Sequence, residues 1–247
     1  MPKAHLVGMD SKVYVLDFFG SKMLRGSGLN VPPSRFLTAY RTNNYNTFLG
    51  YYMEQNKETK NSVKSLDTNS VTISEKDKMK NKNKQGIIWG KDPKHFESKN
   101  EMLIAVAKKV QLISTANHQV FHDQNIVWKG HQTASQWLDL LENSKFLLGL
   151  GDPLLGPSAI DAVSRGCMYI NPIYEKPVRV NEQIFLSQHP YAVQNIGEPY
   201  VCSYKSNDIQ TLLECVEKAL NTDLKPFIPI EFTKDAYRKR VQQIFNL

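Results

Sequence analysis

The stretch Lys145–Asn171, KFLLGLGDPLLGPSAIDAVSRGCMYIN, decides how this chain reads. An apolar run, Phe146–Leu150, meets a loop punctuated by Gly151, Pro153, Gly156 and Pro157. Ser158 then opens a short helical pattern with apolar Ile160, Ala162 and Val163, which Gly166 ends. A second apolar run, Met168–Ile170, follows. The order is strand, glycine loop, helix, strand. Loop glycines let backbone approach a ligand closely, and the first N–H groups of a helix favour an anion. The unit therefore predicts a phosphorylated ligand, most simply a nucleotide. The same pattern also describes a plain tight turn inside a packed sheet.

Working outward, Val13–Phe19 reads as a strand, Phe36–Tyr40 as a short helix or turn, and Phe48–Met53 as another apolar run. Residues 1–55 thus form an N-terminal part that leads into the main domain. Residues 56–86 are rich in Lys, Asn and Ser and read as a disordered insertion. From there Ile87–Trp89 predicts a strand, Glu101–Ile113 an amphipathic helix and His118–His122 a strand. Ser135–Asn143 predicts a helix with Ser135 as its N-cap. Val201–Tyr204 is a late strand, and Ser206-Asn207-Asp208 caps a helix over Ile209–Leu220. Thr233–Phe245 closes the chain as a helix. Strands alternating with helices define an α/β class: a mostly parallel, Rossmann-like sheet over residues 87–247. Ligands of such sheets bind beyond the C-terminal strand ends.

Bulk properties exclude several classes. The 247 residues hold no apolar run long enough to span a bilayer, and MPKAHLVGMDSK is no signal peptide. The net charge is +7, but residues 57–84 concentrate eight lysines against Glu58, Asp67, Glu75 and Asp77. That is a solvated basic loop without interleaved aromatics, so no nucleic-acid partner is expected. Cys167, Cys202 and Cys215 make neither a disulfide framework nor a CxxC zinc site. One pair plus one free thiol fits an oxidising compartment, and the sequence does not choose the pair.

The pattern GLG-x-P-x-x-GP-x-x-x-D-A-x-x-x-GC-x-x-x-NP, followed by SQHPY at Ser187–Tyr191, resembles the N-acetylglucosaminyltransferase V family. VLDFFG at Val15–Gly20, TFLGYYMEQ at Thr47–Gln55, WGK at Trp89–Lys91 and the PxxPxEFT end at Pro226–Thr233 resemble further family landmarks, in order. The resemblance covers most of the chain outside the insertion. It implies the C-terminal, donor-binding half of a GT-B glycosyltransferase. The family moves N-acetylglucosamine from UDP-GlcNAc in β1,6 linkage to a mannose of N-glycans, with inversion and without a metal or other cofactor. It implies a UDP-sugar donor and a glycoprotein N-glycan acceptor as partners, and a Golgi membrane location, lumenal side, through an anchor that this chain lacks.

On that reading the donor-binding candidates are Lys91, Gly151, Gly156, Pro157, Ser158, Asp161, Lys176, Arg179 and His189. Gly151, Gly156 and Pro157 would turn backbone amides toward a pyrophosphate, and Ser158 would donate to it or cap its helix. Asp161 stands where the family has Glu, and the resemblance gives it the ribose hydroxyls. Lys91 would neutralise the leaving diphosphate, or sit as a solvated turn lysine. Lys176 and Arg179 lie where the family places a donor-contacting basic residue. His189 is a phosphate or sugar contact, or else a packed structural histidine.

Leu155 departs from the pattern. The family has an acid there, and leucine accepts no sugar hydroxyl. The resemblance also places the catalytic base upstream of anything matched here, so no catalytic residue and no metal ligand is expected in this chain. The alternative reading is a non-catalytic GT-B-like protein that binds a nucleotide or a glycan.

Overall fold

The computed structural model describes residues 13–22, 30–53, 70–72, 82–180 and 183–246. They divide into two compact units. The first joins the N-terminal segment to residues 179–184 and 231–247; the second holds residues 53–178 and 185–230. The chain's end thus groups with its beginning, not with the main sheet as the sequence predicted.

In the first unit, β1 (Val15–Leu16), β2 (Phe36–Thr38) and β3 (Thr47–Phe48) form a parallel sheet in that order. Where a helix or turn was expected at Phe36–Tyr40, Phe36–Thr38 is a strand. Pro33–Arg35 makes a 3-10 turn, and Phe36, Leu37 and Thr38 are then all buried. An aromatic core explains the grouping: the rings of Tyr40 and Phe232 lie 5.7 Å apart, and the Tyr40 and Tyr51 hydroxyls 2.7 Å apart. The C-terminal helix, Lys234–Phe245, is capped by Thr233. From this helix Arg240 donates to Leu49 O at 2.7 Å and to Glu231 O at 2.6 Å.

The remaining strands are β4 (Ser70–Thr72), β5 (Gln85–Trp89), β6 (Gln111–Ser114), β7 (Ile126–Trp128), β8 (Phe146–Gly149), β9 (Met168–Val180), β10 (Gln183–Ser187), β11 (Val201–Lys205) and β12 (Phe227–Pro229); they belong to the second unit except for the end of β9 from Arg179 and the start of β10 to Ile184. The main sheet runs β10-β9-β8-β5-β6-β7, with β11 also on β9. The β5, β6, β7, β8, β9 and β11 pairings are parallel. Helices α1 (Asn100–Ala107), α2 (Ala134–Glu142), α3 (Ser158–Ser164) and α4 (Ile209–Asn221) cover it. The class is α/β and the unit Rossmann-like.

Side chains alternate across the sheet, as a pleated strand requires. Ile88, Leu112 and Leu148 pack on one face with Leu103 and Val106 of α1 and Leu212 and Val216 of α4. Ile87, Ile113 and Leu147 pack on the other with Leu141 of α2 and Ala159, Ala162 and Val163 of α3. Each Val, Leu or Ile side chain among them contributes about 1.5–3 kcal/mol by leaving water.

Three sequence expectations shift here. The first helix stops at Ala107 rather than Ile113, because Leu112 and Ile113 are needed on opposite faces of β6. His118–His122 forms no strand; Ile126–Trp128 pairs with β6 instead. The N-cap of α2 is Thr133, not Ser135: its hydroxyl accepts from Gln136 N at 3.3 Å while Gln136 Oε1 accepts from Thr133 N at 2.9 Å.

The expected insertion, 56–86, lies outside the described residues at 56–69 and 73–81. Within it β4 pairs antiparallel with β12. Lys82 donates to the carbonyls of Leu141, Ser144 and Arg165 at 3.2, 3.1 and 2.9 Å, closing the C-terminal ends of α2 and α3. Cys202 of β11 is bonded to Cys215 of α4, and Cys167 is a buried free thiol. Among the described residues no helix is long and apolar enough to cross a membrane.

Candidate functional site

The site grows from the C-terminal end of β8, where Leu150–Pro157 leaves the sheet. This loop is braced from beneath by one fully buried side chain, Gln188. Its Oε1 accepts from Gly151 N at 3.0 Å and its Nε2 donates to Pro153 O at 2.9 Å. Its backbone carbonyl accepts from Leu155 N at 3.0 Å. Tyr169 and Asn171 of β9 form the layer below: the Tyr169 hydroxyl donates to Asn171 Oδ1 at 3.2 Å, and His189 N donates to the same oxygen at 3.0 Å. The Tyr174 hydroxyl donates to Gly151 O at 2.6 Å, and Tyr204 to Gly149 O at 2.9 Å. Burial raises both phenols, so both stay neutral donors. Buried, mutually satisfied polar groups of this kind fix one loop conformation.

His189, expected among the donor contacts, is fully buried. Its Nδ1 accepts from Ala192 N at 3.1 Å, and it also bonds the backbone of Gly156. Burial pushes its pKa down to about 3, so it is neutral. It supports the loop from below. Leu155 is also turned inward, buried with φ at +53°. The position that departs from the family pattern presents no side chain to the surface.

Ser158 is the first residue of α3, and no side chain caps that helix. The N-cap is Pro157, so the capping role expected of Ser158 is not taken up. Asp161 follows on the same helix. Its Oδ2 accepts from the Trp137 indole at 3.1 Å. Burial pushes the Asp161 carboxyl up to about 6, against the Trp137 hydrogen bond and the charges of Arg165 and Lys91.

Lys91 thus stands near Asp161, on the turn after β5. That turn is tied down by His95, whose Nδ1 accepts from the backbones of Lys91 and Asp92 at 3.2 and 3.3 Å. His95 Nε2 lies 3.4 Å from Asp152 Oδ2 and so joins this turn to the loop.

The candidates therefore fall into groups. Gly156, Pro157 and Ser158 lead into the helix that carries Asp161, and the charge of Lys91 acts on that carboxyl. Gly151 and Lys176 instead line a surface cavity of about 340 Å³ with Lys99, Leu150, Tyr174 and Asn207. Arg179 belongs to the first unit. Residue-by-residue reading missed Gln188, Tyr169, Asn171, Tyr174, His95 and Trp137. Gln188 and Asn171 stood inside the SQHPY and NP landmarks; nothing marked the other four.

A Rossmann-like sheet with a braced Gly-Pro loop over its central strand, a carboxylate on the following helix and a lysine beside it defines an α/β domain of the Rossmann-like class. The chain belongs to glycosyltransferase family 18, whose sequence profile matches residues 12–246.

It is 27% identical over 224 residues to alpha-1,6-mannosylglycoprotein 6-beta-N-acetylglucosaminyltransferase A of Homo sapiens, covering 86% of this chain and 29% of the relative. It is 24% identical over 227 residues to the B enzyme of Mus musculus, covering 86% and 27%. The corresponding Caenorhabditis elegans enzyme is 26% identical over 234 residues, covering 87% and 32%. The chain thus spans less than a third of the length of these relatives. Among solved structures, UDP-GlcNAc 2-epimerase of Methanocaldococcus jannaschii, in complex with UDP-GlcNAc and UDP, is similar over 67% of this chain and 45% of its own (TM-score 0.46, 12% identity).

Proposed function

We propose that this chain is the donor-binding, C-terminal half of a GT-B glycosyltransferase. The whole enzyme would transfer N-acetylglucosamine from UDP-GlcNAc in β1,6 linkage to a mannose of an N-glycan. Family membership supports the transferase class. The observation that carries the site is the loop after β8, held by Gln188, with Asp161 on the helix that follows and the charge of Lys91 acting on its carboxyl. Backbone amides around Gly156 and Ser158 would take the diphosphate, Asp161 the ribose hydroxyls, and Lys91 the charge of the leaving group. A rigid set of donors aimed at developing charge stabilises a transition state without reorganising. The reaction is proposed as inverting and metal-independent, with its base supplied outside the described residues. The Cys202–Cys215 pairing fits an oxidising compartment, and we place the enzyme in the Golgi lumen.

Thermal unfolding with UDP, against UMP and ADP, tests the donor site. UDP at one hundred times its Kd stabilises by about 2.7 kcal/mol. A shift that survives EDTA and prefers UDP supports the reading; equal shifts with ADP overturn it. One observation favours a second reading, a binding protein without transfer: inward-facing Leu155 accepts no sugar hydroxyl. Under that reading UDP binds, while the donor sugar adds nothing to its affinity.

A further inference from the structure

The site holds a contact that neither the motifs nor the family assignment explains. Trp137 donates from its indole Nε1 to Asp161 Oδ2 at 3.1 Å. It stands on α2, whose start is locked by the Thr133–Gln136 capping box, and it packs against the apolar cluster that includes Ala159 and Ala162 of α3. The indole is therefore a fixed donor. Asp161 has two carboxylate oxygens, and Oδ1 accepts no hydrogen bond from any described residue. Two cations face the carboxylate: Arg165 from its own helix and Lys91 from the turn after β5. They set charge; among the described residues the one directional contact to the carboxylate is the indole.

We propose that Trp137 is a positioning residue: its N–H anchors Oδ2 of Asp161, stops the carboxylate rotating, and presents Oδ1 as the acceptor for a vicinal diol. The diol is the ribose of a nucleotide, which rests on the donor-site reading above. An aspartate has one methylene less than a glutamate and less reach, so its orientation matters more. A carboxylate accepting one strong hydrogen bond is also held ionised against burial. That keeps it an acceptor near neutral pH.

Trp137→Phe retains the apolar packing and removes the N–H; Trp137→Leu does the same should the phenyl variant fold poorly. Two readouts follow. Without ligand, carbon-13 NMR of aspartate-labelled protein follows the Asp161 carboxyl, and its midpoint should rise by about one unit in the variant. With ligand, uridine is the probe, because it has the diol and no titrating phosphate. Its affinity for the unsubstituted protein should rise as Asp161 ionises, and exceed that of 2′-deoxyuridine. In Trp137→Phe the rise should move to higher pH with the carboxyl midpoint, and affinity near pH 6 should drop about three- to tenfold. An unmoved carboxyl midpoint overturns the hold of Trp137 on Asp161. A moved midpoint with no preference for uridine over the deoxynucleoside, in either protein, overturns the diol and the donor-site reading behind it.

Discussion

Gly156 lies against the Trp89 indole: a Cβ added at Gly156 would stand 2.6 Å from Cζ2 of that ring. Trp89 is the last residue of β5 and is itself buried between sheet and helix. The glycine is required here by close approach, not by an unusual backbone angle. The loop is thus pressed onto the sheet at one end by this contact and tied at the other by Gln188.

Gly156→Ala should therefore cost about 1–3 kcal/mol, the usual range for forcing a methyl into a packed interior. Urea unfolding measures it. The loop would lift from Trp89, so the stabilisation that UDP provides should shrink in the same variant. Unchanged stability would mean that the indole gives way freely and that the loop is not held at this point.

Gln188→Met keeps the volume and removes the side-chain hydrogen bonds to Gly151 N, Pro153 O and the Tyr169 hydroxyl. Gly151 N and Pro153 O would each be left without that partner. A buried unpaired group costs about 1–3 kcal/mol, so a loss of about 2–5 kcal/mol is expected. Hydrogen exchange at the Gly151 amide distinguishes this from a general loosening. That amide should exchange much faster while amides in β5 and β6 keep their protection.

The strand–loop–helix–strand core was readable because its signals are local. Phe146–Gly149 is apolar, glycine and proline break it, and Gly166 stops the helix. What escaped was set by distant partners. Lys82 looks like one more lysine of a basic segment, yet it ties carbonyls from two helices that lie dozens of residues away. Val110–Ile113 continues the helical spacing of Met102–Val106, and the need for a strand between β5 and β7 overrides it. In the site, Asp161 and Lys91 were nameable from the motif. Trp137 was not, because its partner sits on another helix.

Asp161 titrates higher in the fold, at about 6, than its ordinary value of 3.8. Protonation therefore favours the folded state. The contribution of this group is full below pH 4 and is lost as the pH rises through 6. Asp161→Asn is neutral throughout. It should match the unsubstituted protein near pH 4 and exceed it by about 2–3 kcal/mol above pH 7. Paired denaturation curves at the two pH values measure this. The same variant should lose UDP binding, a gain in stability at the expense of the site. A stability difference that is flat with pH would show that Asp161 ionises freely in the fold.

Cys202 and Cys215 are 13 positions apart and join the strand β11 to the helix α4. Closing a loop of that size stabilises by about 3 kcal/mol, chiefly by restricting the unfolded chain. Cys202→Ser with Cys215→Ser, made together, should lower the unfolding free energy by that amount, and reductant should lower the Tm of the unsubstituted protein but not of the double variant. Cys167 provides the internal control. Burial pushes its thiol up to about 12, so it carries almost no thiolate at neutral pH. Iodoacetamide should leave it unmodified in the native protein and label it once the chain unfolds. Labelling of Cys167 in the reduced, undenatured protein would mean that the disulfide holds the face formed by α2 and α3 closed as well as its own, and that the two faces of the sheet open together.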